Sequence, residues 1–373
     1  MQIVAQGWVV YRLTDSPFML GLVNFAALVP VVPISLVGGV ISDRFPRRTL
    51  IIITETVMIF QAFVMAFLIW LDVIQVWHVI LLSFVLGSAS ALEQPARLAF
   101  VMDVVGEKDL SNAVAISSSA YNTSRIIGPS IAGLIIASVG EAACFFINGV
   151  TYLAVIIALW IMRLPPQVIH STDQKLVGSM MDGLKYVRDN QVIRGLMLIV
   201  ALASFLTIPY IALMPVFAKD VLQAGADTLG FLLTAVGVGA IIGALAVAYL
   251  QEGQRGLWLV LSNVAAPVLL LIFCISGSIP FSLVFVTLLG LSNAIRQTLA
   301  NSLIQLNVTG EYHGRVMSIF NLLLNGMSRV GTLLIGALAE FTSAPFALGL
   351  SALFGAIFGL FVIYRMPHLR RLD

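Results

Sequence analysis

Long apolar stretches alternate with short polar breaks along almost the whole chain. An α-helix needs about 20 apolar residues to cross the ~30 Å hydrocarbon core of a bilayer. Runs of that length predict eleven full spans, at residues 17–42, 49–71, 76–96, 110–139, 142–161, 192–218, 228–250, 257–276, 279–305, 314–341 and 344–364. Residues 1–13 are apolar but too short to cross unaided. We interpret them as the outer part of a first helix whose inner part is truncated.

The composition places this helical pattern in a membrane. Hydrophobic residues make up 60% of the 373 residues and charged residues 10%, whereas soluble domains carry about 25% charged residues. The chain is therefore predicted to be an all-α integral membrane protein surrounded by the lipid bilayer. Its net charge of +2 is too small to indicate a nucleic-acid partner.

The inventory of reactive residues argues against an enzyme. The two cysteines, Cys144 and Cys274, and the four scattered histidines have no metal-ligand spacing, so neither a metal nor a cofactor is predicted. The sequence has no Gly-x-Ser-x-Gly elbow and no His-Glu-x-x-His motif. It also has no nucleotide-binding loop, so we do not expect this chain to be powered by ATP that it binds itself.

Basic residues are distributed unevenly between the two sides of the predicted spans. Most of the 20 lysines and arginines fall on one side, and we place only Arg12 and Lys219 on the other. Cytoplasmic loops carry the excess of lysine and arginine in membrane proteins. We therefore expect a multi-pass protein of the inner (plasma) membrane with a cytoplasmic C-terminus.

Much of the charge in the first hundred residues lies in one short loop, at 38–48, between the first two full spans. Its glycines allow close helix packing, and Asp43 can accept hydrogen bonds from a nearby helix N-terminus. Its arginines hold the loop at the cytoplasmic face. A generic hairpin with positive charge on the cytoplasmic side is the alternative.

The spacing Gly39-x3-Asp43-Arg44-x2-Arg47-Arg48 resembles the signature loop between helices 2 and 3 of the major facilitator superfamily of transporters. Pro46 stands where that family has a second glycine. The resemblance implies a major facilitator fold of two six-helix bundles related by pseudo-two-fold symmetry. It also implies that this loop is a conformational motif.

An internal repeat supports this two-bundle architecture. Residues of the first half recur in the second half, namely Gly87, Ala91 and Gln94 as Gly290, Ala294 and Gln297, Gly106-Glu107 as Gly310-Glu311, and Ser124-Arg125 as Ser328-Arg329. We expect an N-terminal bundle at 1–163 with a partial first helix, a cytoplasmic linker at 164–191, and a C-terminal bundle with a short basic tail at 192–373.

The linker itself carries a helical pattern. Its apolar residues at helical spacing are Leu176, Met180, Leu184 and Val187, with Lys185 and Arg188 available to lipid headgroups. This pattern predicts an amphipathic helix on the membrane surface. A flexible linker is the alternative.

A second family motif lies in the fifth helix, where Gly128, Pro129 and Gly133 resemble the motif of the drug-antiporter branch. The match is partial, because Ala132 replaces one glycine of the final pair. In that family the motif accompanies export by antiport, whereas the alternative is a purely structural seam of small residues. The segment Leu13-Thr14-Asp15-Ser16-Pro17 and the helices after it resemble the enterobactin-exporter-like, or transmembrane secretion effector, branch.

Arginines inside predicted spans are candidates for substrate binding, because a charge there costs roughly 2.5–3.5 kcal/mol on insertion scales. Arg125 lies beside Tyr121 and Asn122, and its repeat counterpart Arg329 follows Asn325 by about one helical turn. We expect these residues to bind an anionic substrate. The alternative is structural hydrogen bonding to backbone carbonyls.

Two carboxylates inside predicted spans are candidates for proton coupling. Glu93 has Arg296 as its repeat counterpart of opposite sign, and Glu55 lies near the start of the third helix. Each has a simpler reading, because Glu93 can be solvated at the cytoplasmic end and Glu55 can pair with the arginine loop.

The sequence as a whole predicts a secondary-active transporter. We expect proton-coupled efflux of small amphipathic or anionic molecules, siderophore-like or drug-like, by alternating access. The expected partners are a small-molecule substrate, the bilayer and a proton, and we expect a monomer. The alternatives are a lysophospholipid flippase of the same fold and a truncated membrane protein that does not transport.

Overall fold

The computed structural model describes residues 1–31, 33–34, 45–162, 176–250 and 254–372. Some side chains within these ranges, chiefly between 98 and 126 and at 176–180, are not described. Among the motif residues, Gly39, Asp43 and Arg44 lie outside the described part of the chain.

The described residues form helices and short connections, without a β-strand. The α-helices are α1 Gln2–Thr14, α2 Pro17–Ala26, α3 Arg47–Trp70, α4 Val76–Val139, α5 Glu141–Ile161, α6 Leu176–Asp189, α7 Gln191–Leu206, α8 Tyr210–Val216, α9 Ala226–Ala248, α10 Arg255–Cys274, α11 Ile279–Asn307, α12 His313–Phe341 and α13 Ala344–Arg365. A π-helical turn, Phe217–Val221, extends α8, and 3₁₀ turns cover Gly310–Tyr312 and Pro367–Arg371.

Within the described ranges, 9 helical segments are long and apolar enough to cross a membrane. The other two predicted spans, at 17–42 and 110–139, are represented by the shorter apolar helices Pro17–Ala26 and Ile127–Val139. The structure leaves parts of both predicted spans undescribed, either the backbone or the side chains. The helical membrane architecture is confirmed.

The predicted spans at 76–96 and 110–139 run together in α4 and are separated by a backbone break at Gly106. This residue has φ 70° and ψ 175° inside an otherwise helical run. A positive φ is accessible to glycine because it has no Cβ. Its repeat counterpart Gly310 starts the 3₁₀ turn between α11 and α12. Both glycines therefore interrupt the helical path between the paired spans of their half.

The helices group into two compact units. Unit 1 comprises Met1–Asp15 and Leu22–Gln174, and unit 2 comprises Ser16–Gly21 and Lys175–Asp373. In unit 1, a cluster of buried apolar side chains joins α3, α4 and α5, with Leu50, Ile51, Ala96, Phe100 and Leu159 as members. In unit 2, a larger core joins helices α7 and α10 to α13, and its members include Leu196, Ile199, Leu259, Leu299, Leu303, Phe320 and Val362.

The repeated glycines hold helices in backbone contact. A Cβ built on Gly87 would collide with the carbonyl oxygen of Ala27, and one built on Gly290 would collide with the carbonyl oxygen of Val236. Helices in a membrane associate through close van der Waals packing, which small residues permit. The sequence repeat thus corresponds to the same packing device in each unit.

The predicted linker helix exists as α6, and its described half packs on α12. Gly183 is buried, and a Cβ there would lie 3.0 Å from the Cβ of Arg315. The rings of Tyr186 and Tyr312 stack with centroids 4.6 Å apart. Leu184, one of the predicted apolar positions, is 43% exposed, whereas Val187 is half-buried. Glycine has no side chain and Tyr186 is amphipathic. The spacing of apolar residues alone therefore did not identify the face of α6 that packs on α12.

The close approach at Gly290 gives a stability prediction. Gly290→Ala should lower the melting temperature of the detergent-solubilised protein by several degrees, because overpacking a tight contact costs about 1–3 kcal/mol. Gly349→Ala is the matched control, because a Cβ at Gly349 meets nothing within 4 Å. Equal melting temperatures for the two variants would contradict the backbone contact.

Candidate functional site

Two arginines of the signature loop bind within unit 1. Arg47 begins α3, and its Nη1 lies 2.6 Å from Oδ1 of Asp103 on α4. Arg48 donates a hydrogen bond to the carbonyl oxygen of Trp160 at the end of α5, at 3.1 Å. A cation at a helix N-terminus is opposed by the helix dipole, and the Asp103 carboxylate offsets that cost for Arg47. These two contacts connect α3, α4 and α5 at one end of the unit.

Unit 1 also contains a charged cluster formed by Glu55, Glu93 and Arg97, here called the Glu–Arg–Glu cluster. Nη2 of Arg97 donates to Oε1 of Glu55 at 2.7 Å, and the same guanidinium pairs with Glu93 one helical turn earlier on α4. Two carboxylates thus share one guanidinium. With both carboxylates ionised, the cluster carries a net charge of −1.

The exposure of the three side chains is graded. Arg97 is 54% exposed, Glu93 is 12% exposed and Glu55 is fully buried. Glu55 lies on the packed face of α3, and its Oε2 has no hydrogen-bond partner within the described residues. A buried carboxylate oxygen without a donor is costly unless a proton or another donor reaches it. The cluster therefore joins an accessible cation to an inaccessible acid.

Among the described residues, Arg97 is the ion-pair partner of Glu55. The sequence suggested the loop arginines, but Arg47 binds Asp103 and Arg97 binds Glu55. Arg97 was not among the predicted site residues. Its position four residues after Glu93 places both side chains on one helix face, and this spacing was the available signal.

A polar chain in unit 1 was also missed by the sequence reasoning. Gln2 donates to Gln61 at 2.8 Å and accepts from Asn148 at 2.6 Å, which links α1, α3 and α5. Gln6, one turn after Gln2, donates to the hydroxyl of Ser83 at 3.0 Å. Two glutamines one turn apart in an otherwise apolar helix were the signal for this polar face.

The antiporter-like motif lies in the second part of α4. Pro129 is inside the helix, Gly133 is buried, and Gly128 is half-buried. The neighbouring Ala132 is fully buried, and its carbonyl oxygen accepts a contact from Sγ of Cys144 at 3.5 Å. The small residues of this segment therefore pack α4 against α5.

The predicted substrate arginines differ in how far the structure describes them. Arg125, Tyr121 and Asn122 lie on α4, but their side chains are outside the described set. Arg329 on α12 is half-buried, and no described carboxylate lies within ion-pair distance of it. Asn325 is exposed and donates to the carbonyl oxygen of Asn321 at 3.0 Å. Arg329 is thus a cation without an acidic partner in the described part of the chain.

Comparison with known proteins shows what this chain is similar to. The sequence model of the family described as "Transmembrane secretion effector" matches residues 1–373. The staphyloferrin A transporter of Staphylococcus aureus is 25% identical over 345 residues, which cover 90% of this chain and 85% of that protein. Macrolide efflux protein A of Streptococcus pyogenes is 23% identical over 347 residues, with the same coverage of 90% and 85%.

Solved structures share the fold at low sequence identity. The nucleoside transporter NupG has a TM-score of 0.75 at 13% identity, over 100% of this chain and 97% of NupG. At this identity the likeness concerns the fold alone.

The shared guanidinium gives a second stability prediction. Arg97→Met should lower the melting temperature well below that of Glu55→Gln, because it leaves two carboxylates together, one of them fully buried. Glu55→Gln leaves the Arg97–Glu93 pair in balance. Arg188→Met is the matched control, since that arginine is 74% exposed in its pair with Asp189 and surface pairs contribute little. A loss no greater than that of the control would argue against a shared cation.

Proposed function

Because the chain belongs to the Transmembrane secretion effector family of the major facilitator superfamily, we propose that it is a proton-coupled exporter of small amphipathic or anionic molecules. That it is a multi-pass membrane transporter of small molecules follows from the family. Export, proton coupling and alternating access are the proposed refinements. The observation that carries proton coupling is the Glu–Arg–Glu cluster, in which a buried acid shares its cation with a second acid.

The direction of transport is proposed from the relatives. One relative is named as a staphyloferrin A transporter and another as a macrolide efflux protein. The residues Gly128, Pro129 and Gly133 also resemble the antiporter motif, and this supports export coupled to an opposing ion. We therefore propose siderophore-like or drug-like cargo that leaves the cell as protons enter.

The Glu–Arg–Glu cluster is the proposed proton site. Binding of one proton converts two carboxylates and one guanidinium into a neutral group, which costs less in an apolar environment than a net charge. A proton on Glu55 also turns its carboxyl group into a hydrogen-bond donor. The buried oxygen then no longer carries a charge that needs a donor from another residue. When the proton leaves, the Glu55 carboxylate again needs the positive charge of Arg97. Glu93 and Glu55 are thus two acids whose proton occupancy and contact with Arg97 depend on each other.

The proposed cargo-binding residues are Arg125, Tyr121 and Asn122 in unit 1, and Arg329 and Asn325 in unit 2. A guanidinium offers a planar fork of donors that suits carboxylate, catecholate or phosphate groups. The absence of a described acidic partner for Arg329 supports this role, because a half-buried cation without a counter-charge gains from an anionic ligand. The proposed transporter acts as a monomer with its C-terminus in the cytoplasm.

Alternating access is proposed to depend on the signature loop, with Gly39, Asp43, Arg44, Arg47 and Arg48 as its residues. The contacts of Arg47 and Arg48 within unit 1 support this proposal, because they hold the end of the loop that enters α3. Asp43 is proposed to accept hydrogen bonds from a helix N-terminus when the transporter faces outward. The division into bundles at 1–163 and 192–373, joined by a linker at 164–191, is part of the same proposal.

The proton-coupling proposal predicts a specific defect in Glu55→Gln. In everted membrane vesicles, the wild type should accumulate a radiolabelled macrolide when a proton gradient is imposed, and an ionophore should abolish accumulation. Glu55→Gln should lose most gradient-driven accumulation but retain exchange of labelled for unlabelled macrolide, because exchange needs no net proton movement.

Asp189→Asn, which changes an acid exposed at the surface, is the control and should behave like wild type. Full accumulation on a sodium gradient alone, at zero proton gradient, would refute proton coupling.

The loop proposal predicts that Asp43→Asn reduces transport several-fold at matched expression without preventing membrane insertion. The physical reason is the loss of a charged hydrogen-bond acceptor at a helix N-terminus. Vesicle uptake rates, normalised to the amount of inserted protein, provide the measurement. A rate equal to that of wild type would eliminate Asp43 as part of the conformational motif.

A further inference from the structure

Helix α11 carries a buried cation that none of the contacts described above neutralises. Arg296 is 5% exposed, in a helix apolar enough to cross the membrane. Its Nη2 donates to Oδ1 of Asn293 at 2.6 Å. No carboxylate among the described residues lies within ion-pair distance of it. Arg296 is therefore a charge held in unit 2 by a neutral side chain.

The hydrogen-bond donors of this site are incompletely used. Nη1 of Arg296 and Nδ2 of Asn293 are both buried and lack a hydrogen-bond partner in the described part of the chain. A structural arginine normally spends its donors on carbonyls or carboxylates, since an unused buried donor costs free energy. Two adjacent unused donors are instead suited to a ligand that brings an acceptor.

The guanidinium also borders a recess in unit 2. Apolar side chains of Val200, Ile208 and Leu324 line it together with Ser204, Gln297 and Arg296. Gln297 is exposed, whereas Ser204 is 2% exposed. In this structure the recess has room for about one water-sized group, so a ligand would place only a small polar group beside the guanidinium.

From these observations we infer that Arg296 and Asn293 form a binding site for the carboxylate group of an amphipathic organic acid. This inference rests on the proposed export function and adds a cargo-binding residue to it. A single carboxylate matches the single positive charge and the planar fork of the guanidinium. A phosphate monoester carries close to two negative charges and would leave one without a partner.

The repeat sharpens the contrast between the two units. Arg296 occupies the position of Glu93, and Ala300 occupies that of Arg97. At these corresponding positions, unit 1 has two acids around Arg97, whereas Arg296 in unit 2 has no described acidic partner. The site of unit 2 thus has the charge that an anionic cargo requires.

The test uses a pair of dyes with one skeleton, rhodamine 110 with a free carboxylate and its methyl ester, rhodamine 123. Binding to the purified full-length protein is measured by fluorescence polarisation, and export by proteoliposomes is measured in parallel. In the wild type, the carboxylate dye should bind more tightly than the ester. Arg296→Gln should weaken carboxylate binding by about tenfold or more, the size of a charge-assisted hydrogen bond, and change ester binding less than about twofold. Arg296→Lys should bind the carboxylate dye more weakly than the wild type and more tightly than Arg296→Gln.

Two control arginines make the outcome specific. Arg194→Gln changes an exposed arginine of the same unit and should leave the carboxylate-to-ester ratio unchanged. Arg329→Gln tests the other proposed cargo residue. If Arg329→Gln alone altered the ratio, the Arg296 site would be refuted while the export function stood. If the wild type bound the carboxylate dye through Arg296 but exported neither dye, the binding site would stand and the export function would fail.

A melting measurement separates ligand binding from structural bracing. Arg296→Met removes a buried charge without a described acidic partner, so its melting temperature should equal or exceed that of wild type. A fall of many degrees in Arg296→Met, or an equal loss of binding for both dyes in Arg296→Gln, would overturn the inference.

Discussion

A charge inside a membrane-spanning helix must find a partner or remain costly, and this constraint organises the polar residues of the protein. Helices satisfy their own backbone, and glycines such as Gly87 and Gly290 bring them into direct contact. The few remaining charges then depend on which helices meet. In unit 1 the meeting of α3 and α4 places Glu55 and Glu93 on one guanidinium. The proposed proton site follows from that single shared cation.

The two units carry different polar side chains at corresponding helix positions. Glu55 and Asn263 hold the same position counted from Arg47 and Arg255, the first residues of α3 and α10. Asn263 is 3% exposed, so the position is buried in both units. An acid in one unit and an amide in the other agree with the proposed roles, in which unit 1 exchanges protons and unit 2 binds anionic cargo. A transporter that couples the two processes needs both kinds of site.

The parts of the fold that were predictable from sequence are those set by local pattern. Hydropathy located the helices because the length of apolar helix required by a bilayer is fixed. The repeat located Gly106 and Gly310, which interrupt equivalent helices. The partner of Glu55 was not predictable in this way, because several arginines were available and the choice of Arg97 depends on the register of α3 against α4.

Other features depend on contacts between distant segments. The packed face of α6 is set by Gly183 and by the stacking of Tyr186 on Tyr312, neither of which is visible as an apolar stripe. The link from Gln2 to Gln61 and Asn148 joins three helices that are far apart in sequence. Arg296 was visible as a charge in a span, but its lack of an acidic partner became evident only when its neighbours were placed around it.

The central claim, that cargo and protons move in opposite directions through an acid in unit 1, is tested most directly by proton flux in liposomes. Proteoliposomes are loaded with a macrolide and a pH-sensitive dye, then diluted into macrolide-free buffer without an imposed proton gradient. As macrolide leaves, the lumen should acidify in the wild type and should not acidify in Glu55→Gln. Macrolide efflux through the wild type at an unchanged luminal pH would contradict the account.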